Sequence, residues 1–187
     1  KILLTERSSH LIQTTNPLLK KLLAYTYRHV DHIAALSKDS QHNISTLHHM
    51  PLSRITIIPN GVTIPQKKSQ KKLLHSLNLP QNTTILLFVG RLMPDKGVHH
   101  IITALHHLST HNSYLVIIGD GEQRQALEQQ AKHLNLTNIR FTGPLPHDKV
   151  LEYMNASDIF VFPSVKETGG NVILEAMAHK LAILACP

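Results

Sequence analysis

Two glutamates with seven residues between them frame the most particular stretch of the sequence, which runs Phe162-Pro163-Ser164-Val165-Lys166-Glu167-Thr168-Gly169-Gly170-Asn171-Val172-Ile173-Leu174-Glu175-Ala176-Met177-Ala178. Glu167 falls in a loop, and Gly169, Gly170 and Asn171 open the helix that follows. The first N–H groups of a helix have no intrahelical acceptor and favour an anion. Glu175 lies inside that helix among Val172, Ile173, Leu174, Ala176, Met177 and Ala178. A carboxylate there is costly unless donors bind it, and ribose or sugar hydroxyls would serve. The plainer alternative is a helix-edge glutamate paired with a neighbouring cation.

Three further stretches have the same strand-to-helix or strand-to-turn character. In Val89-Gly90-Arg91-Leu92-Met93-Pro94-Asp95-Lys96-Gly97, Gly90 permits close approach of a ligand to the backbone. Arg91 offers a planar fork and Lys96 a point charge, a combination suited to a diphosphate. Ile118-Gly119-Asp120-Gly121-Glu122-Gln123-Arg124 half matches a dinucleotide fingerprint, but Arg124 stands where the third glycine belongs. It also does not follow the first strand of its sheet, so it reads as a tight turn beside a nucleotide rather than a Rossmann cofactor site. Arg140-Phe141-Thr142-Gly143-Pro144-Leu145 ends a strand in a turn whose backbone groups are placed to read a base, or is simply a turn.

These stretches need elements that hold them on one edge. Apolar runs predict strands at about 84–89, 114–118, 138–142, 158–162 and 182–186, with helices at about 98–109, 122–134, 147–155 and 170–180. Continuous apolar strands alternating with helices predict an α/β fold, a doubly wound parallel sheet covered on both faces. Ligands of such sheets lie beyond the C-terminal strand ends. Upstream, residues 17–29 carry a helical pattern, 32–36 a short strand, and Ser37 caps a helix to about His49. A strand at 54–58 closes in Pro59-Asn60-Gly61, a turn signal, and the polar run from Pro65 to Lys72 reads as a linker. The expected division is residues 1–62 and 63–187. Strands reading straight from the first residues and into the last ones lead to the expectation of a piece of a longer protein.

Composition excludes several classes. Hydrophobic residues make up 42% and charged ones 17%, which excludes a disordered chain. The apolar run Ile85–Val89 is far short of the roughly 18 residues a membrane span needs. A single cysteine, Cys186, fits a reducing compartment. The net charge of +7 raises nucleic acid, but there are four Phe, four Tyr and no Trp to serve as base platforms. The densest cations, Lys67, Lys68, Lys71 and Lys72, sit in the expected linker, where they fit an anionic membrane face better. The 15 histidines raise metal. In the helix at 98–109, Val98, Ile101, Ile102, Leu105 and Leu108 make a buried stripe, which leaves His99, His100, His106 and His107 facing water. No converging ligand set accompanies them, so no metal site is expected.

Gly90-Arg91-x4-Lys96-Gly97, Gly119-Asp120-Gly121-x2-Arg124, Phe141-x-Gly143, and Pro163-Ser164 leading to Glu167-x7-Glu175-Ala176-Met177-Ala178 together resemble the retaining glycosyltransferases of family four. The Ser37 segment and Ile58-Pro59-Asn60-Gly61-Val62 are similar as well. The resemblance implies the GT-B architecture. Residues 63–187 would be the Rossmann-like C-terminal, nucleotide-sugar-binding domain, and residues 1–62 the end of a first Rossmann-like, acceptor-side domain. By carry-over, Arg91 and Lys96 hold the diphosphate, Glu175 accepts from ribose hydroxyls and Glu167 contacts the donor sugar. Gly90, Gly143, Leu145, Gly169, Gly170 and Asn171 complete the donor site. The resemblance further implies retention at the anomeric carbon, a nucleoside-diphosphate sugar as substrate, no required metal or cofactor, and a glycan or lipid-linked acceptor. It implies a cytoplasmic enzyme of bacterial surface polysaccharide or lipopolysaccharide synthesis, at the inner face of the plasma membrane.

The departures are specific. Many such enzymes place a histidine after Thr-x at the end of a first-domain strand, where this chain has Thr5-Glu6-Arg7; some makers of bacterial surface glycans carry Glu-Arg there, which makes Glu6 and Arg7 further site candidates. Lys180 replaces the glycine that usually ends the last helix. With most of the acceptor-side domain absent, the 187 residues alone are expected to bind donor weakly and transfer little. The alternatives are a nucleotide-sugar epimerase, a phosphorylase, for which no cofactor-lysine motif is seen, or a non-catalytic nucleotide-sugar-binding fragment.

Overall fold

The computed structural model describes residues 2–6, 15–65, 79–80, 82–108, 112–164 and 170–186, with the backbone alone for Glu6. Arg7, the linker lysines Lys67, Lys68, Lys71 and Lys72, and the site candidates Glu167 and Gly169 lie outside the described residues. The chain forms two compact units, Lys1–Gly61 and Val62–Pro187.

In the first unit, β1 (Leu3–Glu6), β2 (His32–Ala35) and β3 (Ile55–Ile57) form a parallel sheet in that order. Two helices, α1 (Pro17–His29) and α2 (Lys38–His48), cross between them. Each helix starts on a side-chain cap. The Asn16 Oδ1 accepts from Leu18 and Leu19 N–H at 3.0 and 3.2 Å, and the Ser37 Oγ accepts from Ser40 N–H at 3.1 Å. Such a cap contributes about 1 kcal/mol by pairing N–H groups the helix leaves unmet. Tyr27, Ile33, Ile44 and Ile55 form the core, and the buried His48 ring meets Tyr27 edge-on at 4.7 Å. A short 3-10 turn, Leu52–Arg54, occupies the start of the strand expected at 54–58. Pro59-Asn60-Gly61, expected to turn, runs on without turn or bend. Ile58 N–H is still bound to Ala35 O at 2.8 Å, so the chain leaves along the strand direction rather than reversing.

In the second unit, β4 (Thr84–Val89), β5 (Ser113–Ile118), β6 (Ile139–Gly143), β7 (Ile159–Phe162) and β8 (Ala182–Ala185) make a parallel sheet ordered β6-β5-β4-β7-β8. The helices are α3 (Val98–His107), α4 (Arg124–His133), α5 (His147–Ala156) and α6 (Asn171–Ala178). From β4 the strand order first moves one way and then returns past β4 to β7. Right-handed crossovers therefore put α3 and α4 on one face and α5 and α6 on the other. This is the doubly wound α/β fold the sequence predicts. Leu87, Phe88, Leu115, Ile117 and Phe160 are fully buried between the layers, each contributing on the order of 2 kcal/mol by leaving water. Asp158 fastens β7 to β4: its Oδ2 accepts from Ile85 N–H at 2.8 Å and its own N–H donates to Ile85 O at 3.0 Å.

The histidines of α3 are exposed, as its stripe requires, with Val98, Ile101, Ile102 and Leu105 buried. Leu108, expected in that stripe, is instead the C-cap and 40% exposed. Partial desolvation, and secondly the adjacent His100, hold the His99 imidazole below its usual pKa. Among the described residues, no group of three or more His, Cys, Asp or Glu is arranged to hold a metal ion.

Helices α2, α4 and α6 end alike. His49, Asn135 and Lys180 adopt left-handed φ values of 55°, 53° and 62°. The next residue in each case, Met50, Leu136 or Leu181, donates back to Ser45, Ala131 or Ala176 O and packs inward. This cap usually carries glycine at the left-handed position, because a Cβ there crowds the carbonyl. Lys180 is exposed, so its side chain offers little to offset that strain. Lys180→Gly is expected to raise stability by about 1 kcal/mol, read as a higher urea midpoint with an unchanged slope. An unchanged or lower midpoint would reject the strained cap.

Candidate functional site

All loops that follow strands in the parallel sheet of the second unit leave from one edge, and there the backbone ladder continues beyond the strands. Gly90 N–H donates to Ile118 O at 3.0 Å, and Leu92 N–H donates to Asp120 O at 2.9 Å. Gln123 N–H returns to Leu92 O, and Gly119 N–H reaches Gly143 O, both at 3.0 Å. The loops after β4, β5 and β6 are thus zipped side by side. Gly119, at φ 136°, makes this possible: a Cβ at that position would overlap the carbonyl oxygen of Gly90.

The zipped loops floor a cavity of about 410 Å³. Val89, Ile118, Leu145 and Val150 supply apolar wall, Gly90 and Gly119 the backbone floor, and Arg91 and Asp120 the charged rim. Leu92, fully buried, anchors the loop while Arg91 beside it stays exposed. An apolar slot with few polar groups at its mouth, at the carboxyl ends of strands, suits a flat heterocycle carrying an anionic tail.

The second cation stands where the strand order reverses, between β4 and β7. A 3-10 turn, Pro94–Lys96, ends at Gly97, whose left-handed φ of 66° lets α3 begin against the β7 loop. A Cβ on Gly97 would lie 2.7 Å from the Pro163 carbonyl oxygen. Lys96 Nζ donates to Ser164 Oγ at 3.2 Å and lies 5.8 Å over the Phe162 ring. Ser164 Oγ in turn donates to Asp95 O at 3.5 Å. This fixes the ammonium group at the switch point, where open α/β sheets bind ligands.

Glu175 is held from the other face of the sheet. Its helix α6 starts at Asn171 on the N-cap Gly170 with no side-chain cap, which leaves the N–H groups of Asn171 and Val172 for an anion. The Glu175 side chain is 22% exposed, and its Oε1 lies 3.8 Å from His147 Nε2 at the start of α5. His179 Nδ1–H donates to Glu175 O at 2.7 Å. One turn after His147, Val150 lines the cavity, so α5 touches both the slot and the carboxylate.

Of the predicted site residues, Gly90, Arg91 and Leu145 meet at the cavity. Lys96 is placed by Phe162 and Ser164. Glu175, Gly170 and Asn171 share α6 and its cap. The Gly143 carbonyl is occupied by Gly119 N–H and by the Thr142 hydroxyl, at 3.0 and 2.8 Å, so Gly143 shapes the cavity through the residues that follow it. Arg124 leans over Gly143 and pairs with Glu128 at 2.9 Å and Asp120 at 3.8 Å. Glu6 lies at the end of β1, in the first unit. Sequence reasoning did not single out Val150 or His147, and it quoted Asp120 and Ser164 within motifs without giving either a role. Val150 and His147 carried a signal only in their spacing of one helical turn.

The profile of the family described as "Glycosyl transferases group 1" matches residues 69–187. A lipopolysaccharide 1,2-N-acetylglucosaminetransferase of Salmonella typhimurium is 31% identical over 150 residues, covering 73% of this chain and 39% of that protein. Glycogen synthase of Mycobacterium tuberculosis is 35% identical over 158 residues, covering 83% of this chain and 37% of that protein. The chain thus spans less than half the length of these curated relatives. Among solved structures, Anabaena Alr3699/HepE in complex with UDP and glucose superposes with a TM-score of 0.81 at 22% identity, covering 98% of this chain and 52% of that one.

The Gly119–Gly90 approach yields a direct test. Gly119→Ala is expected to cost about 2–3 kcal/mol in urea unfolding. Gly61→Ala, where a Cβ meets nothing within 4 Å, should change stability by less than about 0.5 kcal/mol. Equal, small effects at both positions would show that the loops are not zipped this closely.

Proposed function

The chain belongs to the group 1 glycosyltransferases, and from that premise we propose that it transfers a sugar from a nucleoside-diphosphate sugar to a glycan or lipid-linked acceptor, with retention at the anomeric carbon, as family four does. The observation that carries the reading is the cavity at the β4–β6 edge with Arg91 on its rim and Lys96 pinned at the neighbouring switch point. The relatives named for lipopolysaccharide and teichuronic acid work support a role in bacterial surface polysaccharide synthesis. The structural neighbour in complex with UDP supports a uridine donor.

In this reading the base enters the apolar slot beside Leu145 and Val150. The diphosphate lies toward Arg91 and Lys96, and the ribose hydroxyls donate to Glu175. As the bond from the anomeric carbon to phosphate oxygen breaks, the two cations stabilise the charge that develops on the leaving diphosphate. The acceptor oxygen bonds the same face of that carbon and gives its proton to a leaving-phosphate oxygen. Glu167 and the backbone at Gly169–Asn171 are proposed for the donor sugar and phosphate, and Glu6 and Arg7 stay as further proposed site residues. The charge of the diphosphate is met by side chains and helix N-termini, so the reading requires no metal or cofactor. The proposed location is the cytoplasm at the inner membrane face; no helix of the described residues is long and apolar enough to cross a membrane.

A thermal-shift screen against UDP, GDP, ADP and their sugars tests the site. A ligand at about 100 times its Kd stabilises by about 2.7 kcal/mol, so one nucleotide class should raise Tm by several degrees. Arg91→Ala and Glu175→Ala should each remove most of that rise. Absence of a shift with every nucleotide would defeat the reading.

A further inference from the structure

The histidines of α3 point into water, whereas His147 lies against a candidate site residue. We propose that His147 is a positioning residue for Glu175: neutral, it leaves the carboxylate to the donor's hydroxyls; protonated, it takes Oε1 and weakens donor binding. The inference rests on the reading of Glu175 as the acceptor for ribose hydroxyls.

The geometry favours a contact that forms on protonation. Nε2 lies 3.8 Å from Oε1, beyond hydrogen-bond length but within reach of an ion pair. His147 is the first residue of α5, and the N-cap Pro146 makes no side-chain cap bond. An imidazolium at a helix N-terminus is disfavoured by the helix dipole, and the Glu175 carboxylate is the counter-charge that offsets this. Glu175 cannot move away as a unit. Its carbonyl receives the His179 Nδ1–H, and Ala176 beside it is fully buried. Only its side-chain torsions are left to respond, and His147 would draw them toward α5.

Among the described residues, the surrounding charges leave this pair distinct. On α5 the other charged groups are Asp148, next in sequence, and Lys149 and Glu152, which pair with each other at 2.9 Å. On α6 the titratable group is Glu175, followed at the helix end by His179 and the exposed Lys180. The strands packed against these helices, β4, β7 and β8, carry no charged side chain. A carboxylate has two acceptor oxygens with about four lone-pair sites, so an imidazolium on Oε1 weakens diol binding by drawing the carboxylate toward α5 and out of the orientation the diol needs.

The test is calorimetric titration of the full chain with UDP, GDP and ADP at about pH 6 and about pH 8, so that histidine protonation differs between the two conditions. The wild-type chain, His147→Gln and Glu175→Gln are compared. For the nucleotide that binds, wild type should lose about three- to fivefold more affinity on acidification than His147→Gln, the scale of a partly exposed ion pair. The phosphate titrates identically in both, so the difference isolates the imidazole. Glu175→Gln should bind more weakly at about pH 8 and lose the extra acid sensitivity. Equal acid sensitivity in wild type and His147→Gln overturns the positioning role while the donor reading stands. Failure of the wild-type chain to bind any of the three nucleotides at either pH overturns both.

Discussion

The site depends on one steric fact: the backbone of Gly90 occupies the space a side chain at Gly119 would need. Parallel strands end with their N–H and C=O groups still pointing sideways, and these groups must be satisfied. Here the ladder carries on into the loops, through Gly90 to Ile118, Leu92 to Asp120 and Gly119 to Gly143. The loops can approach to ladder distance only because Gly119 has no Cβ. Separating them would leave the Gly90 and Gly119 N–H groups without protein partners and open the floor of the cavity. Arg91 and Leu145 hold their places because this edge is closed.

The order of the strands then fixes where charge collects. The reversal at β4 separates the crossovers onto two faces and leaves a crevice between the β4 and β7 loops. Gly97 and Pro163 close it by contact, and Lys96, bound to Ser164 and lying over Phe162, projects its ammonium there. The helices contribute the same sign. The caps of α3, α4, α5 and α6 make no side-chain hydrogen bond, whereas α1 and α2 in the first unit are capped by Asn16 and Ser37. Uncapped N-termini following the C-terminal strand ends leave partial positive charge on the edge that carries Arg91 and Lys96. That edge is suited to an anion before any particular ligand is named.

Much of this was legible in the residues. Continuous apolar runs at 84–89 and 158–162 fall on β4 and β7, and the stripe of Val98, Ile101, Ile102 and Leu105 gave α3. Helix ends fell close to their expected places, although His49, Asn135 and Lys180 fill left-handed caps where glycine would have signalled the stop. Gly90, Arg91 and Lys96 could be read because the loop is local and its chemistry sits in consecutive residues. The contacts of Ser164 and Asp158 could not. Ser164 meets Lys96 across 68 residues, and Asp158 fastens Ile85 across 73, contacts that exist only once β7 lies beside β4. Val150 and His147 were hidden for the same reason, since α5 reaches the cavity and Glu175 only through the crossover.

The composition takes on a different meaning in this structure. A chain with 15 histidines and 12 acidic residues has 17% charged residues, against about 25% in ordinary domains, so histidine stands at many positions where a fixed charge is usual. On α3 that substitution is inconsequential, since His100, His106 and His107 face solvent. Around Glu175 it is not, because a carboxylate set in an apolar helix has few partners. Of the groups that reach it, His179 donates to its backbone and His147 faces its side chain. A lysine in place of His147 would hold Oε1 at every pH, and a glutamine would never hold it by charge. Histidine is the side chain that can hold that oxygen in one protonation state and release it in the other, so under the proposed pairing the bias of the surface becomes a property of the site.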